Sequence, residues 1–388
     1  MREKYYDPDR PLNYKYQSVN KSILDNYVLN HWWPVAIKAI PPNASANLVS
    51  IVGSLFCWAC FLVLAGAFTG PLHLVARSRP WLFGLAALFL FLYQTLDSLD
   101  GIQARRTGAS GPLGEYIDHW FDSINAYILP LGIALAFPAV PPQMAAVSLF
   151  LVASAGWLSG RAVRDKGVML FGPVSGEEVL SLTYLFLLSV WALGYDFWAT
   201  PGPLGLAPVV LFYALVPLLL AFASISSAAS VSGFSEYALA MASCLPPLAW
   251  TLLSLPAQGR TALILGGLLI CFTGARFAGD VLRDRLVGLE YQAILPDVLF
   301  VDACVLFAAL SPGLPPGSSA AAASVACLWM GACLVQQFGR TAARVREVTG
   351  VSVFRPAPLP GEPPRRGLFQ RPMPRPALQR SFFARRWR

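Results

Sequence analysis

The sequence predicts an all-α protein, a polytopic integral membrane helix bundle of about ten transmembrane helices with an N-terminal interfacial amphipathic helix. Of its 388 residues, 56% are hydrophobic and 13% are charged. That charged share is about half the share found in an ordinary soluble protein. A soluble globule of this composition would lack the polar side chains to cover its surface, so lipid is expected to solvate much of the chain.

Ten apolar runs are long enough to cross about 30 Å of hydrocarbon. They cover residues 46–69, 80–99, 115–137, 143–163, 177–197, 205–227, 236–256, 261–279, 293–311 and 320–338. Connections after the third, fifth and ninth runs contain no lysine or arginine, whereas those after the second, fourth and eighth contain several, including Arg105 and Arg285. The positive-inside rule therefore places both termini and the even-numbered connections in the cytoplasm, with Arg77, Arg79 and Arg260 as exceptions.

The chain is predicted to divide into four segments. These are a polar segment with an interfacial helix (1–42), a membrane core that carries an acidic cluster (43–230), further transmembrane helices (231–349) and a basic Pro/Arg-rich tail expected to be disordered (350–388). The interfacial helix would run from Ser18 to Ile40 and rest Trp32 and Trp33 in the headgroup layer of the membrane lipids. Nine arginines against one acid, Glu362, give the tail the chain's net charge of +8. The net positive charge thus belongs to the tail and not to a folded nucleic-acid-binding surface, so no nucleic acid partner is expected.

Acidic residues are concentrated where the second predicted span ends and the third begins, and charge at membrane depth usually marks function. At 100° per residue, four positions at the end of the second predicted span share an arc of about 100°, and four positions at the start of the third span share a similar arc. The positions are Asp97, Asp100, Gly101 and Ala104, followed by Glu115, Asp118, His119 and Asp122. Two antiparallel helices would therefore present four aspartates to one another.

Such convergence of carboxylates is prohibitive unless a positive charge lies between them. Oxygen-rich, sulfur-free coordination suits Mg²⁺, Mn²⁺ or Ca²⁺ rather than zinc, and two such ions can hold a diphosphate. Gly101 and Ala104 would let a ligand approach the backbone closely, and Arg105 is placed to bind a phosphate oxygen. The alternative is a set of helix-end carboxylates that face the cytosol without a ligand.

The spacing of these residues resembles the complete signature of the CDP-alcohol phosphotransferases. The pattern reads Asp97-x2-Asp100-Gly101-x2-Ala104-Arg105-x8-Gly114-x3-Asp118-x3-Asp122. The resemblance implies an enzyme that transfers a phosphoalcohol or phosphatidyl group from a cytidine diphosphate donor to an alcohol and releases CMP. It also implies a homodimer and two divalent ions, Mg²⁺ or Mn²⁺, on the four aspartates. The nucleotide site would be shaped by Asp100, Gly101, Ala104, Arg105 and Gly114.

Further residues are similar to the choline/ethanolamine phosphotransferase branch, among them Gln103 to Thr107 and Pro112 to Glu115. This resemblance implies CDP-ethanolamine or CDP-choline as the donor and a diacylglycerol-like lipid as the acceptor. It also implies that His119, oriented by Glu115 through a hydrogen bond, removes the hydroxyl proton of the lipid. The alternative is that Asp122 takes this proton and His119 only packs beside the metal site.

Departures from the branch keep other functions open. Isoleucine replaces the usual lysine at Ile102, and Trp120-Phe121 replaces Gly-Cys, so an altered pocket would suit ceramide as the acceptor. Glu177 lies in a segment that loosely resembles a later motif of the branch. Two further alternatives remain. One is an enzyme that uses CDP-diacylglycerol as the donor, and the other is an ion-coupled lipid transporter. The site would face the cytoplasm, from an inner membrane in a bacterium or from the endoplasmic reticulum or Golgi in a eukaryote.

Overall fold

The structure is a computed structural model. It describes residues 11, 17–66, 79–203, 205–228, 233–288, 291–292, 294–311, 317–351 and 353. Within them, helices lie at each of the ten predicted span positions, because each apolar run satisfies its backbone hydrogen bonds internally. The helices are numbered α1 to α13 in chain order, and two of them are short and do not correspond to a predicted span. The helices at the ten span positions are α2 (Ala46–Gly66), α3 (Trp81–Arg106), α4 (Pro112–Ala136), α5 (Pro142–Lys166), α6 (Gly176–Leu193), α8 (Pro208–Ala228), α9 (Phe234–Ala242) with α10 (Leu245–Gln258), α11 (Arg260–Val287), α12 (Pro296–Leu310) and α13 (Ser318–Thr349). The short helices are α1 (Asn30–Ala36) and α7 (Tyr195–Ala199).

Seven helices of the described residues are long and apolar enough to cross a membrane, if α9 and α10 are taken as one span. The all-α, polytopic membrane fold is therefore confirmed. Three predicted spans fall short of that standard: α12 has 15 residues, the apolar stretch of α8 covers Pro208–Leu219, and α4 begins with the acidic cluster. Ten crossings thus remain a prediction.

One long helix, α11, lies at the centre of the bundle and packs against α4, α5, α10 and α13. Glycine makes the closest of these contacts possible. A Cβ at Gly274 would overlap the hydroxyl of Tyr127 on α4, and one at Gly266 would overlap the side chain of Thr251 on α10. On the other side of α4, α2 packs against both α3 and α4. The hairpin of α3 and α4 is therefore held between α2 and α11.

The N-terminal segment is folded differently from the predicted helix over Ser18 to Ile40. Ser18–Asn20 forms a strand, β1, which pairs in parallel with β2 (Met169–Phe171) after α5. A π-helical turn (Asp25–Leu29), α1 and a 3₁₀ turn (Ile37–Ala39) follow in place of one regular helix. The prediction is wrong for Ser18–Asn20, where pairing with β2 replaces helix, but residues 23–39 are helical without a break, although Pro34 removes one backbone donor within α1.

Most of this segment is exposed, as is Trp32, but Trp33 is placed differently from the prediction. Trp33 is buried and donates its indole N–H to Asp25 at 2.7 Å, so Trp33 packs on the protein and not in lipid. Tyr27, Val28 and Val35 are exposed, and their contact with a membrane interface stays a prediction. At the other end of the chain, the predicted disorder of the tail lies outside the described residues from 354 onward.

Candidate active site

The acidic residues lie in the hairpin formed by the end of α3 and the start of α4. Gly108 ends α3 in the left-handed backbone region, with φ of 65°, a conformation that glycine adopts without strain. Pro112 then starts α4 at a position where its missing N–H costs no helical hydrogen bond. The short connection makes the two helices neighbours, so the predicted arcs of aspartates face each other.

Two overlapping groups of possible metal ligands form at this place. Asp97, Asp100 and Asp118 offer atoms that lie within 4.8 Å of one another, and so do Asp118, His119 and Asp122. Asp118 belongs to both groups. Among the described residues, no lysine or arginine forms an ion pair with any of these four aspartates, and the imidazole of His119 lies within 4.0 Å of Asp118 and Asp122. Carboxylate oxygens that converge without a cationic side chain fit hard divalent ions such as Mg²⁺ or Mn²⁺.

Hydroxyl groups from neighbouring helices fix two of the carboxylates. Ser50 on α2 donates to Asp100, which is 7% exposed. Tyr93, one turn before Asp97 on α3, donates to Oδ1 of Asp122 across the hairpin at 2.8 Å. Neither partner had been predicted: Ser50 lies on a third helix, and Tyr93 lies on α3 one turn before the acidic residues.

His119 lies at the edge of the second group. Its Nδ1 is 3.8 Å from Oδ2 of Asp122, and its Nε2 is 4.0 Å from Oε1 of Glu115. The latter distance is too long for a hydrogen bond, so the expected hydrogen bond from the His119 imidazole to the Glu115 carboxylate is not formed in this structure. Glu115 instead forms a close ion pair with Arg285 of α11. From the sequence, Arg285 is predicted only to help set the membrane topology.

The residues predicted to shape a nucleotide site lie on both helices of the hairpin. A Cβ at Gly101 would be 3.4 Å from the Arg105 guanidinium, so these two residues adjoin on α3. A Cβ at Gly114 would be 3.4 Å from the side-chain oxygen of Asn47 on α2. Ala104 lies one turn after Gly101 on the same helix and is half-buried. Arg105 is exposed, which leaves its guanidinium accessible to a soluble ligand.

Two cavities share Asp122 as a lining residue. The first, of about 250 Å³, is lined mainly by apolar side chains of α4, α6 and α8 such as Leu180 and Phe212, and also by Asp97, Asp122 and Glu177. The second, of about 350 Å³, is lined by His119, Asp122, Lys166 and Arg285, by apolar residues such as Leu282, and by the connection that carries β2. Asp122 therefore borders both an apolar chamber, the first cavity, and a second chamber that contains cationic side chains.

Two other expectations can be compared with this geometry. Glu177 accepts hydrogen bonds from Gln94 at 2.6 Å and from Ser98 at 3.0 Å, and it lines the apolar chamber. Trp120 packs on Phe338 of α13, with ring centroids 4.8 Å apart, and it lines neither of the two cavities. The expectation that Trp120 reshapes an acceptor pocket therefore has no support in these cavities.

The sequence was compared with known proteins. It is 35% identical over 178 residues to cholinephosphotransferase 1 of Saccharomyces cerevisiae, which is 44% of each chain. It is 34% identical over 185 residues to cholinephosphotransferase 1 of Gallus gallus, covering 46% of this chain and 52% of the relative. Choline/ethanolaminephosphotransferase 1 of Saccharomyces cerevisiae is 29% identical over 210 residues, covering 48% and 53%. The chain spans about half the length of the curated relatives it matches.

The profile of the CDP-alcohol phosphatidyltransferases matches residues 44–242. This range runs from the turn before α2 to the end of α9, and it contains the whole acidic hairpin. The match covers half of the chain and agrees with the resemblance in the spacing of the aspartates. The chain is therefore a member of the CDP-alcohol phosphatidyltransferase family.

Proposed function

We propose that this protein transfers phosphoethanolamine or phosphocholine from CDP-ethanolamine or CDP-choline to diacylglycerol and releases CMP. One observation carries the proposal: two overlapping carboxylate groups share Asp118, and Asp122 of the second group lines two cavities, one of which also contains His119, Lys166 and Arg285. A nucleotide donor and a lipid acceptor have opposite solubilities, and this arrangement offers each a chamber of its own. The names of the relatives support the choice of donor.

Asp97, Asp100, Asp118 and Asp122 would hold two divalent ions, Mg²⁺ or Mn²⁺. When bound, the ions would neutralise these carboxylates and stabilise the negative charge of the diphosphate in the transition state. The convergence of the ligand atoms within 4.8 Å supports this assignment. Asp118 is the shared ligand, so both ions would depend on it.

The protein's own side chains would then orient the reactants and move one proton. The lipid hydroxyl enters from the apolar chamber and loses its proton to the imidazole of His119, as its oxygen bonds to the β-phosphorus of the donor. The bond from that phosphorus to the CMP oxygen breaks, and CMP leaves with the electron pair. Glu115 would orient His119, whereas Asp122, at 3.8 Å from the imidazole, is the alternative acceptor of the proton. Arg105 and Gly101 would bind the nucleotide.

The remaining parts of the proposal concern the membrane and assembly. Both termini and the active site would face the cytoplasm, because the basic connections at the ends of α3, α5 and α11 belong on that side. The resemblance to the family also implies a homodimer. A lipid transporter is a weaker proposal, since among the described residues both carboxylate groups lie in one hairpin and no second group forms elsewhere.

The decisive experiment is a donor and acceptor screen on the purified full chain. CDP-ethanolamine, CDP-choline and CDP-diacylglycerol would be supplied in turn, with diacylglycerol, ceramide or a small polyol, and CMP release would be measured with Mg²⁺, Mn²⁺ or EDTA. We expect metal-dependent CMP release with diacylglycerol and either of the first two donors. Release only from CDP-diacylglycerol, only with ceramide, or from no donor at all would contradict the proposal.

A further inference from the structure

Arg285 reaches the acid–base residues from a part of the chain that lies beyond the family match at 44–242. It stands in the last turn of α11, and its Nη1 contacts Oε1 of Glu115 in the first turn of α4. The side chains are 11% and 3% exposed, respectively. We infer that Arg285 is a positioning residue for the proposed transfer: it fixes the Glu115 oxygen that faces His119. This inference rests on the proposed function.

One carboxylate oxygen lies between the guanidinium and the imidazole. Oε1 of Glu115 contacts Arg285 and is also the atom that lies 4.0 Å from Nε2 of His119. A buried carboxylate that loses its cation is strongly destabilised and moves or takes up water. Removing the guanidinium therefore displaces the group that His119 faces, without changing any aspartate of the two ligand groups.

The end of α11 is held in place independently of this contact. Asp284, the residue before Arg285, pairs with Arg164 of α5 at 2.5 Å. Adjacent residues of α11 thus form ion pairs with two different helices, and together they fix the rotation of its last turn. The Arg164–Asp284 pair provides a matched control, because it also joins α11 to the core but does not reach Glu115.

A different role for Arg285 is direct contact with the donor, since Arg285 lines the second cavity together with His119, Asp122 and Lys166. The two roles differ in kinetics. A contact with the donor phosphates contributes to donor binding, so its loss raises the donor KM. A positioning contact through Glu115 affects the proton transfer, so its loss lowers kcat and leaves the donor KM unchanged.

The test uses the full chain in detergent or nanodiscs, with CDP-ethanolamine, diacylglycerol and Mg²⁺. We expect Arg285→Gln to lower kcat by about tenfold or more, because a positioned base contributes about 10²–10⁴-fold. The donor KM should not change. In a Glu115→Gln background, Arg285→Gln should have no further effect. Arg285→Lys keeps the charge on a shorter side chain and should give a kcat between those of wild type and Arg285→Gln. Arg164→Gln should retain kcat within about twofold.

Several results would overturn the inference. These are a wild-type kcat in Arg285→Gln or Arg285→Lys, a raised donor KM with kcat unchanged, or an equal loss in the wild-type and Glu115→Gln backgrounds. An equal loss in Arg164→Gln would show that any break between α11 and the core suffices. If Arg285→Gln does not fold, Arg285→Lys alone decides by the same KM and kcat criteria. Absence of CMP release by the wild type would instead refute the proposed function, and the inference with it.

Discussion

Replacing Asp118 with asparagine removes one negative charge from both carboxylate groups, and it should change stability in opposite directions with and without metal. The carboxylate oxygens of each group lie within 4.8 Å of one another, and two charges at that limiting distance repel by about 3.5 kcal/mol at an effective dielectric constant of about 20, and by about 1 kcal/mol at the value for water. Asp118 is 26% exposed, so its repulsion falls between these bounds. In EDTA, Asp118→Asn should therefore be more stable than wild type by about 1–3 kcal/mol.

Bound metal should reverse the order of stability between Asp118→Asn and wild type. At Mg²⁺ concentrations about 100 times the dissociation constant, the wild type should gain about 2.7 kcal/mol per site, whereas Asp118→Asn should lose most of that gain. Thermal unfolding of the purified proteins in EDTA and in Mg²⁺ measures both effects. Asp297→Asn is the control, because Asp297 pairs with Arg276 at 2.9 Å and its neutralisation should destabilise the protein in both buffers. A variant less stable than wild type in EDTA, with an unchanged response to Mg²⁺, would refute the reasoning.

Three further predictions concern the frame around the site. Glu178→Gln weakens the acceptor that binds the Ser22 hydroxyl at 2.5 Å and two backbone N–H groups, so it should lower stability by about 2 kcal/mol; an unchanged melting temperature would contradict this. Gly274→Ala places a methyl group against Tyr127 and should cost about 1–3 kcal/mol, and a chemical denaturation curve that overlays that of wild type would exclude the overlap. Leu180→Trp fills part of the apolar chamber, so the KM for diacylglycerol should rise while the KM for the CDP donor does not, whereas a rise in the donor KM would place the lipid elsewhere.

The sequence predicted the helices and the facing arcs of aspartates well, because both depend on periodicity along a single helix. Asp97 and Asp118 meet since helical geometry and a short connection leave little choice. Contacts between distant segments were not predictable in this way. The ion pair between Glu115 and Arg285 joins residues in α4 and α11, and no local pattern reports which cation a buried carboxylate will find.

The same limit applies to Trp120 and to the N-terminal strand. Trp120 follows His119 directly, so proximity in sequence suggested that it shapes the pocket, but a step of one residue turns a side chain by 100°. Trp120 accordingly points to Phe338 on α13. Ser18–Asn20 has no strong strand signal, and its extended form depends on pairing with Met169–Phe171, which lies far along the chain.

Asp122 lines both chambers, together with Ala126, Val152, Ser175 and Gly176. Under the proposed function, the nucleotide and the lipid would occupy separate cavities on either side of this shared wall, and neither would have to pass through the space of the other. Such a partition would let CMP and the new phospholipid leave in either order.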